Sequence, residues 1–122
     1  MNNWLAVFIG GGAGSVLRFA ISVGVVKFAG KALFPWATLA ANVLASAILA
    51  LLIYRWGIDA PDRLGPKALL AIGFCGGLST FSTFSYETFI LLRDGMHGFA
   101  QANVLVSMLL CVILFQLIVR FA

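Results

Sequence analysis

The residues best suited to chemistry lie together in one stretch, residues 73–87, which reads GFCGGLSTFSTFSYE. From position 79 to 85 every residue is Ser, Thr or Phe, so a helix there carries hydroxyl groups on all its faces. A carboxylate follows at Glu87. A helix facing lipid would not carry these groups, because each unsatisfied polar group in hydrocarbon costs several kcal/mol. In a membrane segment such residues usually face a protein interior, a cavity or an ion path. We expect the function to lie here.

Two phenylalanines in this stretch, Phe81 and Phe84, are spaced so that both rings lie on one side of a helix. Ser82 and Thr83 lie between them, and Thr83 is one helical turn from Glu87. Ordinary packing of the rings does not require this alternation with hydroxyls. Because aromatic ring edges are electropositive, the alternation favours a path for a small anion that binds hydrogen-bond donors strongly.

The glycine pair Gly76–Gly77 predicts a break in this helix, since glycine weakens regular helix. A broken span exposes carbonyl groups at the end of one half and N–H groups at the start of the other. Such ends are a recurring means of holding ions at the membrane midplane. Carbonyls suit a hard cation such as sodium, whereas the N–H end suits an anion.

Other polar residues in apolar surroundings have two interpretations each. Arg18 follows a glycine-rich run and either snorkels to the interface or faces an aqueous vestibule, where it would attract anions. Asn42 either hydrogen-bonds to a neighbouring helix or offers its two N–H donors to an anion.

The spacing of other residues predicts which helix faces they share. Asn103 and Ser107 are four residues apart and share a helix face. Gly10 and Gly14 predict close helix packing, and Ala37, Ala41 and Ala45 predict a second close crossing.

The composition is that of a membrane protein. The 122 residues are 62% hydrophobic and 10% charged, and the mean hydropathy is +1.07. Soluble domains carry about 25% charge. Four windows of the roughly 20 residues that a spanning helix needs fill the chain. We therefore expect an all-α integral membrane protein with a single four-helix domain over residues 1–122 and no cleaved signal. The predicted windows are Trp4–Val25, Trp36–Trp56, Lys67–Leu92 and Gly98–Phe121.

The basic residues give no clear orientation in the membrane. With four spans, Arg55, Arg63, Lys67 and Arg120 lie on one side and Lys27, Lys31 and Arg93 on the other. Because this is almost no bias, the positive-inside rule leaves two possibilities open. The chain inserts in both directions and forms an antiparallel homodimer, or it has one orientation fixed by other means. The net charge is +4, but the basic residues are too scattered along the sequence to form a patch that binds nucleic acid.

Nothing in the sequence indicates an enzyme. There is no metal-ligand cluster, nucleophile–base pair or phosphate-binding loop, and His97 lies beside Asp94 in a loop. Cys75 and Cys111 fall inside predicted spans, where small apolar fillers are far commoner than disulfides or metal ligands.

Three segments of the chain resemble the small bacterial fluoride channels known as Fluc or CrcB proteins. They are GGGAGSVLR at 10–18, Thr38-Leu39 with Asn42, and the highly specific GFCGGLSTFSTFS at 73–85. The resemblance covers the whole chain. It implies passive, fluoride-selective export across the bacterial plasma membrane by an antiparallel, dual-topology homodimer with two pores.

The resemblance also assigns roles to residues. Asn42 would donate to fluoride, and the ring edges of Phe81 and Phe84 would line the pore beside a polar track. Arg18 would be a vestibule arginine. The backbone carbonyls of Gly76 and Ser79 would hold a structural sodium ion at the dimer centre. The full pore set implied is Asn42, Phe81, Phe84, Ser82, Thr83, Glu87, Asn103 and Ser107.

The chain departs from the family at a few positions. Relatives often have glycine where this chain has Ala37 and Ala45, and many have tyrosine where it has Asn103. Asparagine keeps the hydrogen-bonding capacity of tyrosine but loses its aromatic face.

Two rival functions differ in the residues that they require. A small proton-coupled multidrug exporter needs a carboxylate, typically in its first span, which this sequence lacks. A non-transporting assembly subunit would use the polar third span to bind partner helices.

Overall fold

The computed structural model describes residues 2–121, which form helices joined by short turns. Helices α1 (Asn3–Ala29) and α2 (Trp36–Tyr54) are the first two spans. The third span consists of α3 (residues 61–78) and α4 (Ser82–Arg93), and the fourth is α5 (His97–Phe121). Four helical segments in this part of the chain are long and apolar enough to cross a membrane. The prediction of four spans, the third of them broken, is confirmed.

The ends of the helices differ from the predicted windows because hydropathy marks only the apolar section of a helix. Helix α1 continues to Ala29 and stops at Gly30, whose φ of 71° suits glycine. Its first turn is capped by Asn2, whose side chain accepts a hydrogen bond from the Trp4 N–H at 2.7 Å. Helix α2 ends at Tyr54 rather than Trp56, and Gly57, with a φ of 59°, turns the chain.

Helices α1 and α3 approach each other backbone to backbone. A Cβ atom added to Gly10 would overlap the Leu69 carbonyl oxygen, and one added to Gly14 would overlap the Phe74 carbonyl oxygen. From the other side, Gly77 lies against the backbone of Gly11. The predicted close packing at Gly10 and Gly14 is confirmed, because only hydrogen fits where these two backbones meet.

Helix α2 crosses α3 through small residues. Ala41 and Ala45 are buried with Leu78 in one apolar cluster, which confirms the predicted crossing at those two positions. A second cluster joins Leu52 and Ile58 to Cys75. The prediction that Cys75 is an apolar filler is confirmed by these neighbours.

The break in the third span does not lie where the glycines predict it. Helical turns continue through Gly76–Leu78, and residues 79–81 are the ones outside helix. The prediction of a break at Gly76–Gly77 is therefore wrong by about one turn. Gly77 serves the close contact with α1, and the α3 helix ends only where Asn42 of α2 replaces its hydrogen bonds.

Helix α5 packs chiefly on α2 and also on α4. Its buried residues within the chain are Ala100, Asn103 and Ser107, which form a narrow stripe. Large apolar side chains such as Leu105, Met108 and Val112 are exposed on the rest of the helix. Such a surface is suited to contact with lipid or with another membrane helix.

Candidate functional site

One side chain of α2 holds the break between α3 and α4. Ser79 is extended, with φ −79° and ψ 158°. At the next residue, Asn42 Oδ1 accepts a hydrogen bond from the Thr80 backbone N–H at 2.8 Å. Asn42 Nδ2 donates to the Thr80 carbonyl oxygen at 3.3 Å. The N–H and C=O of Thr80, which lie outside the helices, are satisfied in this way, as backbone groups away from water must be. The break is a defined structure, not a frayed helix end.

The first turn of α4 is capped by the hydroxyl of Thr80. Thr80 Oγ1 accepts a hydrogen bond from the Thr83 backbone N–H at 3.2 Å, as an N-cap side chain does. It also lies 3.4 Å from Ser82 Oγ. Ser82 and Thr83, both predicted as site residues, therefore start the second half of the span. Ser82 is exposed in the single chain and Thr83 is half-buried.

A groove of about 350 Å³ opens beside the break. The rings of Phe81 and Phe84 line it with their centroids 5.9 Å apart and their planes tilted by 39°. Both rings share one side, as the spacing predicts, although Phe81 itself precedes the helix. The Phe81 side chain is 79% exposed, so one side of the groove is open. The other lining residues are Asn42, Ser46, Ser79, Thr80, Ser107, Met108, Cys111 and Val112.

The carboxylate of Glu87 is bound to α2. Its Oε1 accepts a hydrogen bond from the Thr38 hydroxyl, and Thr38 is one helical turn before Asn42. The two polar residues of α2 thus face the third span together, Asn42 at the break and Thr38 beside α4. Glu87 is half-buried, and within the described residues Thr38 is its hydrogen-bond partner.

Arg18 lies against the end of α3. Its Nε donates to the Gly77 carbonyl oxygen at 3.1 Å, and the same oxygen lies 3.5 Å from Ser15 Oγ, which donates to it. The last carbonyls of a helix carry a partial negative charge, which a cation stabilises. The side chain is half-buried. It therefore points to the break, a position that neither sequence-based interpretation of Arg18 specified.

The two polar residues of α5 have different surroundings. Asn103 is 0% exposed, and its Nδ2 donates to Thr88 Oγ1 at 2.9 Å. Ser107 Oγ donates to Asn103 Oδ1 at 3.4 Å and also lines the groove. Ser107 is therefore placed with the phenylalanines, whereas Asn103 lies behind them.

The residues whose carbonyls were predicted to bind a cation lie at the end of α3. Gly76 is exposed, and a Cβ added to it would meet nothing within 4 Å. The Ser79 hydroxyl donates back to the Cys75 carbonyl oxygen at 2.9 Å. Within residues 2–121, no group donates a hydrogen bond to the Ser79 carbonyl oxygen.

Comparison with known proteins gives one consistent family. Residues 5–118 match the family described as CrcB-like protein, Camphor Resistance (CrcB). The chain belongs to the CrcB family. It is 44% identical over 117 residues to the fluoride-specific ion channel FluC of Geobacter sulfurreducens, covering 93% of this chain and 90% of the relative. The FluC protein of Serratia proteamaculans is 44% identical, covering 98% and 95% of the two chains. That of Escherichia fergusonii is 45% identical, covering 86% and 81%.

Within this CrcB chain, the structure brings Asn42, Phe81, Phe84 and Ser107 together in one groove. Sequence reasoning from residue types missed Thr80. Its backbone N–H and C=O bind Asn42 at the break, and its hydroxyl accepts from the first turn of α4. It also missed Thr38, Ser46 and Thr88. The four-residue spacing of Thr38, Asn42 and Ser46 was a signal that could have found two of these, since it defines a polar stripe on an otherwise apolar helix.

Proposed function

We propose that this CrcB protein is a fluoride-specific ion channel. It lets fluoride leave the cell passively, down its gradient across the bacterial plasma membrane. The observation that carries the proposal is the groove at the helix break, which combines hydrogen-bond donors with two phenylalanine rings in a chain 44% identical to channels of that name. The gradient arises because hydrogen fluoride crosses the bilayer as a neutral acid and dissociates inside at higher pH.

The chemistry of the groove suits a small, strongly hydrated anion. One N–H of the Asn42 carboxamide is used on Thr80, and within the described part of the chain no acceptor takes the other. Ser107 also lines the groove, and its hydroxyl donates to Asn103 Oδ1. The electropositive edges of Phe81 and Phe84 add weak attraction without a full charge. Fluoride accepts hydrogen bonds strongly enough for a few donors to replace its water.

We further propose an antiparallel, dual-topology homodimer, in which a second copy covers the open side of the groove. Three observations support this. The Phe81 ring is largely exposed, Ser82 is exposed although polar, and a Cβ added to Gly76 would meet nothing within 4 Å among the described residues. Exposed polar groups at membrane depth need a protein partner or water. The even distribution of basic residues suits insertion in both directions.

The dimer proposal is tested by biasing the orientation. Adding lysines to the loop between α2 and α3 should fix one orientation and reduce the yield of active protein. Coexpression with a copy biased the other way should restore it. Full activity from subunits that all face one way would overturn dual topology.

A structural sodium ion is proposed at the carbonyls of Gly76 and Ser79. The site fits such an ion in part, because the Ser79 carbonyl oxygen lacks a hydrogen-bond donor among residues 2–121 and carbonyl oxygens are hard ligands. The same two carbonyls from a partner would complete the set. A bound cation would join the ends of the two broken spans electrostatically and so hold the dimer together.

This function needs no catalytic step, and we expect no enzymatic activity. The rival exporter is not favoured, because α1 carries no carboxylate and Glu87 is bound to Thr38. The assembly subunit is not favoured either, since the curated relatives are named as channels.

The function is tested by ion release from liposomes that contain the purified protein, measured first with a fluoride and then with a chloride electrode. Rapid fluoride release without chloride release is the expected result. Protein-free liposomes and a Phe81→Ile, Phe84→Ile double variant are the controls. Failure of folded protein to release fluoride, or equal release of chloride, would overturn the proposal.

A further inference from the structure

Helix α4 is tied to α5 by a short relay of hydrogen bonds behind the groove. Asn103 Nδ2 donates to Thr88 Oγ1 at 2.9 Å, and Thr88 Oγ1 donates to the Phe84 carbonyl oxygen at 2.8 Å. A hydroxyl has one proton, so its donation to Phe84 leaves it as the acceptor for Asn103. The relay therefore runs in one direction, from amide to hydroxyl to carbonyl. It ends on the backbone of a residue whose ring lines the groove.

The relay begins at a buried residue, runs through the half-buried Thr88, and has all its groups satisfied. Asn103 is 0% exposed, and its remaining acceptor atom, Oδ1, receives the Ser107 hydroxyl at 3.4 Å. Across the described residues, no buried side-chain nitrogen or oxygen lacks a partner. Removing one member would leave a polar group unpaired in a low-dielectric interior, where such groups are costly.

The relay acts where α4 has little other support. Within the described chain, α5 is the helix on which α4 packs most extensively. The back-bond from Thr88 to the carbonyl four residues earlier is of the kind that bends a helix slightly. Asn103 fixes the orientation of that hydroxyl and joins it to α5. The rotation of α4 about its axis, which sets where the Phe84 ring points, is thereby tied to the position of α5.

We propose that Asn103 is a positioning residue which, through Thr88, holds the Phe84 ring in the groove. The proposal rests on the proposed function only in taking the groove as the fluoride path. It differs from the sequence-based expectation that Asn103 belongs to the pore set, because Asn103 is not among the residues that line the groove.

The test uses the full-length protein with 4-fluorophenylalanine at position 84, observed by ¹⁹F NMR in fluoride-free buffer. Asn103→Leu and Thr88→Val should each shift or broaden the resonance, because each breaks the relay with little change in volume. Thr88→Ser keeps the hydroxyl and should leave the resonance in place. The matched control is Gln116→Leu, which removes an exposed amide from the same helix.

Fluoride release from liposomes provides the second readout. Thr88→Val should slow fluoride release by about tenfold, the scale of one hydrogen bond lost, and Asn103→Leu, which also removes the acceptor of the Ser107 hydroxyl, by at least as much. Thr88→Ser should restore most of it. Because both changes break one relay, the double variant should be no slower than the slower single variant.

An unchanged resonance in folded Asn103→Leu would overturn the proposal, whatever the release rate. If that variant does not fold, Thr88→Val decides, and an unchanged resonance there overturns it equally. Additive losses in the double variant would also contradict a single relay. The NMR measurement does not depend on transport. A wild-type protein that released no fluoride would therefore overturn the proposed function while leaving the positioning role to be judged on the resonance.

Discussion

The third span makes two contacts that are held in different ways. Against α1 it is held by shape, since glycine backbones meet with no room for a side chain. Against α2 it is held by hydrogen bonds, since Asn42 and Thr38 each bind a polar group of the span. The contact with α1 tolerates no added side-chain volume, whereas the contact with α2 tolerates no loss of the polar groups that form its hydrogen bonds. We infer that the first contact secures the fold, whereas the second shapes the proposed ion path.

The largest effect is expected at the contact held by shape. Gly14→Ala places a Cβ atom on the Phe74 carbonyl oxygen and close to Leu78. Backbone cannot move aside as a flexible side chain can, so the cost should exceed the usual 1–3 kcal/mol of overpacking, at about 3 kcal/mol or more. We expect little folded protein, measured as the monodisperse fraction in size-exclusion chromatography in detergent.

The control is Gly12→Ala, two residues away on the same helix, where an added Cβ meets nothing within 4 Å. It should be neutral, or stabilising by up to about 1 kcal/mol because alanine favours helix. Equal behaviour of the two variants would show that the α1–α3 contact is not held by shape.

The contact held by hydrogen bonds is tested by Asn42→Asp. This change replaces the donor to the Thr80 carbonyl with an oxygen and puts a negative charge beside an anion path. Like-charge repulsion costs several kcal/mol, so fluoride release from liposomes should fall by about a hundredfold or more. The matched control is Asn2→Asp, the same chemical change at a helix cap that Asp serves equally well. Normal release from Asn42→Asp would remove Asn42 from the path.

A smaller effect is expected from the rings. Phe81→Ile or Phe84→Ile keeps apolar volume but removes the electropositive ring edge, an interaction of about 0.5–1.5 kcal/mol. Fluoride release should fall by about tenfold for either change, while the elution profile of the protein stays the same. Phe89→Ile, at an exposed ring of the same helix outside the groove, is the control. Equal release from all three variants would show that the rings only pack.

The smallest effect should come from Arg18, which lies in the α1–α3 contact but acts there through a hydrogen bond to the end of α3. Arg18→Lys keeps the charge and Arg18→Gln removes it. A cation at a helix C-terminus contributes about 0.3–1 kcal/mol, and up to 2 when partly buried. We expect a lower melting temperature for Arg18→Gln, with Arg18→Lys intermediate. Equal melting temperatures for wild type and Arg18→Gln would mean that the charge does not stabilise the break.

The sequence predicted the spans and the composition of the site better than it predicted their geometry. Hydropathy located four helices, and unusual polarity located residues 73–87, because a membrane segment tolerates few polar groups without a reason. It misplaced the break, because glycine has two roles and the close approach of Gly77 to α1 depends on a partner helix distant in sequence. The π-helical turns of Lys67–Cys75 were also unforeseen, since they leave no mark in hydropathy. The separate positions of Asn103 and Ser107 depend on how α4 packs, which a shared helix face does not reveal.

The two hydrogen bonds between Asn42 and Thr80 bear on how the protein moves. The side-chain amide of Asn42 pairs with both the N–H and the C=O of one residue, Thr80, as two residues of neighbouring antiparallel β-strands do. These two groups belong to the successive peptides on either side of the Thr80 Cα, so the pair restrains both φ and ψ of Thr80, and we expect this interruption of a helix to resist bending as a hinge. The Thr80 amide proton should exchange slowly with solvent deuterium, although the helix ends at Leu78, two residues earlier. If the groove is the ion path, we expect its throughput to be set by the passage of the ion and not by bending at this break.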